Sequence, residues 1–259
     1  MGEAIYRPLI EDMCWSHSRI TCFQDCPYRF FLRYISGCEQ TPQFYASYGK
    51  FMHKLLELYY KGEISQEEMQ IKFLFDFQRE VQGDRPAPST VEKYIRQGIE
   101  YLREFRPLPF TPLEIEKRVE FTVGERPFVG IIDYLGKTED GSLVLVDHKS
   151  RDMKPRSGKA KPTLSDMELD RMLLQLYLYC KPVFEEYGEF PEELCFNCFR
   201  TGILIREPFR DDAYREALAW AEKSVAEIEG EEEFSPYIEF FSCTQLCDMR
   251  DFCCYKFGG

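Results

Sequence analysis

Three sets of side chains in this 259-residue sequence have types and spacings suited to chemistry. The first is Leu143-Val144-Leu145-Val146-Asp147-His148-Lys149, which reads as a strand. Its two-residue period puts Leu143, Leu145, Asp147 and Lys149 on one face, so an acid and an amine continue a buried aliphatic row. Upstream, Val129, Ile131 and Asp133 share a face in the same way. Two carboxylates about 4 Å apart repel by roughly 4 kcal/mol at an effective dielectric of about 20. A divalent cation removes that cost, and Mg²⁺ or Mn²⁺ prefers hard oxygen ligands. An ordinary Asp–Lys ion pair at a strand end is the alternative.

The second set is cysteine. Cys243, Cys247, Cys253 and Cys254 crowd a C-terminal stretch with few apolar residues to bury them, which points to metal ligation. Near the other end Cys22 and Cys26 lie one helical turn apart. Cys195-x2-Cys198 reads as strand and core packing, and Cys14, Cys38 and Cys180 sit in no motif. The third set is the run Arg151, Lys154, Arg156, Lys159 and Lys161, opposed only by Asp152. It starts where the acid–lysine strand ends and could follow a phosphate backbone; a solvated surface loop is the competing reading.

The elements that position these groups follow from periodicity. Helices are predicted over 16–35 (capped by Ser16 or Ser18), 47–61, 66–82 and 89–105, with Asp84-Arg85-Pro86-Ala87-Pro88 as a loop. Val119, Phe121 and Val123 then alternate with polar residues, Gly124-Glu125-Arg126-Pro127 turns, and Phe128–Leu135 returns as a second strand. Asp140-Gly141 turns into the third strand, completing a meander. A helix over 166–183, a strand over 196–205 and a helix over 211–229 follow. The order predicts an α/β or α+β fold: a mixed sheet flanked by helices, in one domain with a helical periphery.

Composition narrows the class. No run approaches the about 18 uncharged apolar residues of a membrane span, and the first residues lack a signal-peptide pattern, so a cytoplasmic protein is expected. Eleven cysteines, an odd number, then argue for metal binding or core filling over disulfides. The net charge of −12 opposes non-specific adhesion to nucleic acid while leaving a local site possible.

Asp133, followed after a hairpin by Asp147-x-Lys149, resembles the core signature of the PD-(D/E)XK nucleases. Three further stretches are similar to motifs of its RecB-like branch: Gly49-Lys50-Phe51-Met52-His53, Gly130-Ile131-Ile132-Asp133 and Gln175-Leu176-Tyr177-Leu178-Tyr179. Cys26-Pro27-Tyr28-Arg29-Phe30 resembles the start of the iron–sulfur members, among them AddB-type subunits and CRISPR-adaptation nucleases. The resemblance implies a restriction-endonuclease-like core and Mg²⁺ or Mn²⁺ held by His53, Asp133, Asp147 and the His148 carbonyl. It also implies Lys149 as the catalytic amine, with Gln175 and Tyr179 positioning the site. A [4Fe–4S] cluster on Cys26, Cys243, Cys247 and Cys253 would clasp residues 16–35 and 236–259 together. The first C-terminal gap is three residues where the family has two, so Cys254 or Cys22 are substitutes and zinc is the chemical competitor.

The expected function is therefore a DNA nuclease, an exonuclease acting on single-stranded DNA or free ends. The alternatives are a subunit working with a helicase, recombination or CRISPR-adaptation partner, or a non-catalytic DNA-binding module that kept the fold.

Overall fold

The computed structural model describes residues 6–255; Met1–Ile5 of the expected leaderless start and 256–259 of the expected clasp lie outside them. Among the described residues eight α-helices and five strands follow one another, more than the six helices and four strands expected: α1 (Arg7–Glu11), α2 (His17–Asp25), α3 (Pro27–Phe30), α4 (Phe44–Tyr60), α5 (Gln66–Glu80), α6 (Pro88–Arg103), β1 (Thr111–Val123), β2 (Arg126–Lys137), β3 (Leu143–Lys149), α7 (Leu164–Tyr187), β4 (Glu193–Cys198), β5 (Ile203–Pro208) and α8 (Asp211–Glu229). The sheet order is β1-β2-β3-β4-β5. β1, β2 and β3 form the antiparallel meander, α7 crosses over to a parallel β4, and β5 returns antiparallel. This is the mixed sheet flanked by helices that the sequence predicts.

Local chemistry sets the boundaries. Ser16 Oγ accepts the Arg19 amide and starts α2. The expected 16–35 helix breaks at Cys26, because the residue before a proline is pushed out of the helical region. Cys26 becomes extended and its sulfur caps α3, which runs into a π-turn over Phe31–Ile35. Reciprocal capping boxes open α5 (Ser65, Glu68) and α7 (Thr163, Asp166), and Gly188 in the left-handed region closes α7. The single strand expected over 196–205 is two, separated by a turn at Phe199–Gly202 that aligns β4 and β5.

The main core lies between the sheet and α2, α7 and α8; a second, aromatic core joins α4, α5 and α6. In β2 the expected buried row is inverted: Ile131 is 49% exposed, whereas Phe128, Gly130 and Ile132 are buried. The reason is that α7 packs on the other parity, with the Tyr179 ring against Gly130. The free edge of β2 beyond β3 is covered by Trp15, whose backbone pairs with Pro127 and Val129. Among the described residues no helix is long and apolar enough to cross a membrane.

Candidate active site

The β2–β3 ladder stops at the pair Tyr134↔Val146. One residue further, the Asp133 carboxylate replaces it and accepts the His148 amide at 2.8 Å. Asp133 and Asp147 thus meet where the two strands part. Burial, with the Asp147 charge beside it, holds the Asp133 carboxyl well above the usual carboxylate range.

Helix α4 delivers His53 to the same spot. Its Nε2 lies 2.8 Å from the His148 carbonyl oxygen, which can only accept, so Nε2 carries the proton. Burial lowers the imidazole's pKa, and in the neutral ring with Nε2–H donating, Nδ1 presents a lone pair. That lone pair is 3.4 Å from Asp133 Oδ2 and 4.0 Å from Glu116 Oε1. Glu116 was not among the residues singled out from sequence. It falls between the pairs Ile115↔Tyr134 and Lys117↔Ile132, opposite Asp133, with a positive φ of 53°. Burial and the neighbouring Asp133 push its carboxyl up to about 7.

Ligand atoms of His53, Glu116 and Asp133 all lie within 4.8 Å of one another. Three acceptors converge, of which the Asp133 oxygen takes the His148 amide, and Asp147 Oδ2 is a further buried oxygen without a hydrogen bond. The Lys149 ammonium stands 2.6 Å from that oxygen, close but out of hydrogen-bond alignment. Such a donor set is unfavourable when empty and fits a hard divalent cation.

Lys149 is itself held from α7. Its Nζ donates to Gln175 Oε1 at 3.0 Å, and Gln175 Nε2 donates to Tyr179 Oη at 3.3 Å. The ring of Tyr179 rests where a Cβ on residue 130 would be. Gly49, one turn ahead of His53, likewise lets α4 pass Ser150: a Cβ there would meet Ser150 Oγ at 3.3 Å. Asp133, Asp147, Lys149, His53, the His148 carbonyl, Gln175 and Tyr179 are therefore brought together at one strand end.

The basic run is not gathered in the same way. Arg151 faces the site but pairs with Glu168. Arg156 is tied to Asp170 and Glu207, each at 2.8 Å. Asp166 takes the backbone and hydroxyl groups of Ser157 and Thr163, folding the loop onto the start of α7 and leaving Lys154, Lys159 and Lys161 splayed into solvent.

A cavity of about 830 Å³ runs from Lys149 and Gln175 to Cys26, Cys243 and Cys247. Cys26 Sγ accepts the amides of Arg29 and Tyr237, both at 3.4 Å. Burial raises the Cys247 and Cys253 thiols against the opposing amides of Met249 and Tyr255, and the nearby Cys254, Cys26 and Cys243 raise Cys253 further. Asp248 ties this segment to the N-terminal helices through Arg29 at 2.7 Å and Arg33 at 3.0 Å. Cys22 is buried, and burial pushes its thiol up to about 11; Cys254 is exposed, 3.5 Å from the Tyr28 hydroxyl. Cys195 and Cys198 are fully buried in the sheet, as core packing requires.

Comparison with known proteins places this arrangement. No curated protein matches the sequence. Among solved structures, a protein from Eubacterium rectale named as a candidate exonuclease is 12% identical, with 97% of this chain and 93% of that one covered at a TM-score of 0.55; it shares the fold. The protein SSO0001 is 16% identical over 92% and 85% of the two chains, at a TM-score of 0.36, a likeness too loose to carry an argument. Residues 14–254 match the profile of the PD-(D/E)XK nucleases, and the chain belongs to that superfamily.

Proposed function

We propose that this chain is a divalent-metal-dependent deoxyribonuclease, working as an exonuclease on single-stranded DNA or free ends in recombination, repair or DNA processing. The observation that carries this reading is the convergence of His53 Nδ1, Glu116 and Asp133 beside Asp147 and Lys149. His53, Glu116, Asp133 and Asp147 would hold Mg²⁺ or Mn²⁺, while the His148 carbonyl, expected from the sequence as a ligand, instead fixes the imidazole by accepting from Nε2–H. Bound there, the ion supplies a water of lowered pKa and polarises the phosphate. Lys149 places a positive charge where negative charge builds on the phosphate, and Gln175 keeps the ammonium from collapsing onto Asp147 alone. Tyr179 in turn fixes Gln175.

Cys26, Cys243, Cys247 and Cys253 are proposed to carry a [4Fe–4S] cluster of the RecB-like iron–sulfur branch, with zinc as the competing metal. The Arg29 and Tyr237 amides that donate to Cys26 Sγ are the kind of hydrogen bonds that surround cluster sulfurs. The chain carries no P-loop motif, so separated strands would come from a helicase, recombination or CRISPR-adaptation partner.

The test is cleavage of end-labelled single- and double-stranded DNA with Mn²⁺. Asp147→Asn and Lys149→Ala should each abolish cleavage, with metal binding weakened only in the first. Full activity in a rigorously purified Asp147→Asn protein ends the proposed mechanism.

A further inference from the structure

Near the strand end where Lys149 sits, one arginine is held by neutral groups alone. Arg29, Arg151, Arg156 and Arg171 all pair with carboxylates. Arg200, in the β4–β5 turn, pairs with none among the described residues. Three neutral groups hold it instead. Its Nε donates to Gln97 Oε1 at 3.1 Å, its Nη1 donates to the Ser150 carbonyl at 3.4 Å, and its guanidinium lies 4.3 Å over the Tyr94 ring. That ring is itself wedged by Phe44, Tyr45 and Tyr48, with centroids 4.9–5.5 Å away.

The placement adds to the chemistry. Ser150 directly follows Lys149, and the Phe199 amide donates to the Lys149 carbonyl at 3.2 Å. Arg200 also lines a cavity of about 920 Å³ bounded by α6 and the segment leading to β1. Asn197 and Tyr101 line it too, and Asn197 hydrogen-bonds the His148 ring. Of the other charged groups on its wall, Arg103 pairs with Glu104, and Arg106 and Glu100 balance each other, so Arg200 supplies the excess positive charge. In a chain of net charge −12, a guanidinium fixed in position yet left without an acid presents Nη2 to an anion from outside. A planar fork of this kind matches a phosphodiester.

We infer that Arg200 is a backbone-phosphate clamp: it binds a phosphate of the nucleic-acid strand flanking the one at the metal site, from the face of β3 opposite the cavity that leads to the cysteines. The identity of its ligand rests on the nuclease reading. Its rigid seat means that little side-chain freedom is lost on binding.

The probe is a short fluorescein-labelled oligothymidine, titrated by anisotropy in EDTA, where no cleavage occurs, with steady-state cleavage in Mn²⁺ measured separately. Arg200→Gln is the main variant, since glutamine can keep a polar contact to Ser150 while losing the charge; Arg200→Lys keeps the charge without the fork. Arg200→Gln should weaken binding by roughly tenfold or more, as loss of a charge-assisted hydrogen bond does. The plot of log affinity against log salt should flatten by about 0.7, one phosphate contact on a single strand. In cleavage the loss should fall mainly on KM, and Arg200→Lys should lie between. Unchanged affinity and salt slope in a folded Arg200→Gln protein would overturn the clamp. So would a loss confined to kcat, which would make Arg200 a prop for Ser150. Competition by thymidine monophosphate as strong as that by the oligonucleotide would overturn it as well, in favour of a mononucleotide site. Wild-type protein that binds the strand but never cuts refutes the nuclease reading alone, because the EDTA titration still tests Arg200.

Discussion

Gly130→Ala is a one-carbon change on β2 that should disable Lys149 without touching it. An ideal Cβ at residue 130 would lie 2.3 Å from Tyr179 Cε1, 2.8 Å from Cζ and 2.9 Å from Oη. Carbon atoms prefer about 3.5–4.0 Å, so the ring must retreat by about 1 Å or more. Tyr179 is only 8% exposed on a helix packed against the sheet, so it has to swing about its side-chain bonds. Its hydroxyl then leaves Gln175 Nε2, a hydrogen bond already long at 3.3 Å, and Gln175 loses the contact that orients it towards Lys149. A misplacement of about 1 Å in catalytic geometry can lower the rate about 100-fold. Overpacking costs about 1–3 kcal/mol, offset by about 0.5–1 kcal/mol because alanine is the stiffer chain. A chain of this size should therefore melt a few degrees lower. The assay is initial cleavage rate with Mn²⁺ beside a thermal melt, on Gly130→Ala, Tyr179→Ala and the double variant. The double variant should melt higher than the sum of the single losses predicts, because the clash is gone, while its cleavage stays low. Wild-type rate and melting in Gly130→Ala would refute the reasoning.

Glu116→Gln should weaken Mn²⁺ binding, read by calorimetry, and raise the melting temperature of the metal-free protein at pH 8 by relieving the crowded acids; unaltered affinity removes Glu116 from the site. The pH dependence follows from raised carboxyl pKa values. Because folding raises the pKa of Glu116 to about 7 and that of Asp133 further, the folded metal-free protein holds protons that the unfolded chain releases near pH 4.5 and below. Their contribution to stability is complete at low pH and lost as pH rises through 7. Mn²⁺ takes the deprotonated site, so its stabilisation should be larger at pH 8 than at pH 6; equal melting shifts at both pH values contradict the assignment. Anaerobically purified protein should be brown with about four irons, and Cys26→Ala should lose both colour and stability; stoichiometric zinc in a colourless protein would replace the cluster.

The sequence alone disclosed some of this and hid some of it, for physical reasons. β3 was legible because Leu143–Lys149 is short, bounded by turns and apolar up to its last three residues, so its bounds follow from pattern alone. β2 misled because alternation reports which residues differ from their neighbours, and both Ile131 and Ile132 are apolar; only the docking of α7 over Gly130 decides which is inside. Glu116 was invisible because its place opposite Asp133 depends on the β1–β2 register, which shifts between Pro112 and Glu114. The basic loop looked like a phosphate track because charge can be counted in sequence. The carboxylates that engage Arg151 and Arg156 come from α7 and β5, so the engagement could not be.

The short motifs that carried the family resemblance acquire a common physical meaning at the strand end. Glycines in two of them set the spacing at which side chains of the site meet. Gly49 lets α4 approach Ser150, which brings His53, one turn later, to the His148 carbonyl at 2.8 Å. Gly130 gives the Tyr179 ring its seat, so that Gln175, one turn earlier on α7, reaches Lys149. Asp133 and Asp147 complete the site because the β2–β3 ladder ends there and the His148 amide needs an acceptor. A larger residue at Gly130 moves a functional group on a different element, whereas one at Gly49 meets only the Ser150 hydroxyl at 3.3 Å and presses on the contact between its own helix and β3. Residues that never touch substrate therefore constrain the site as tightly as those proposed to hold the metal.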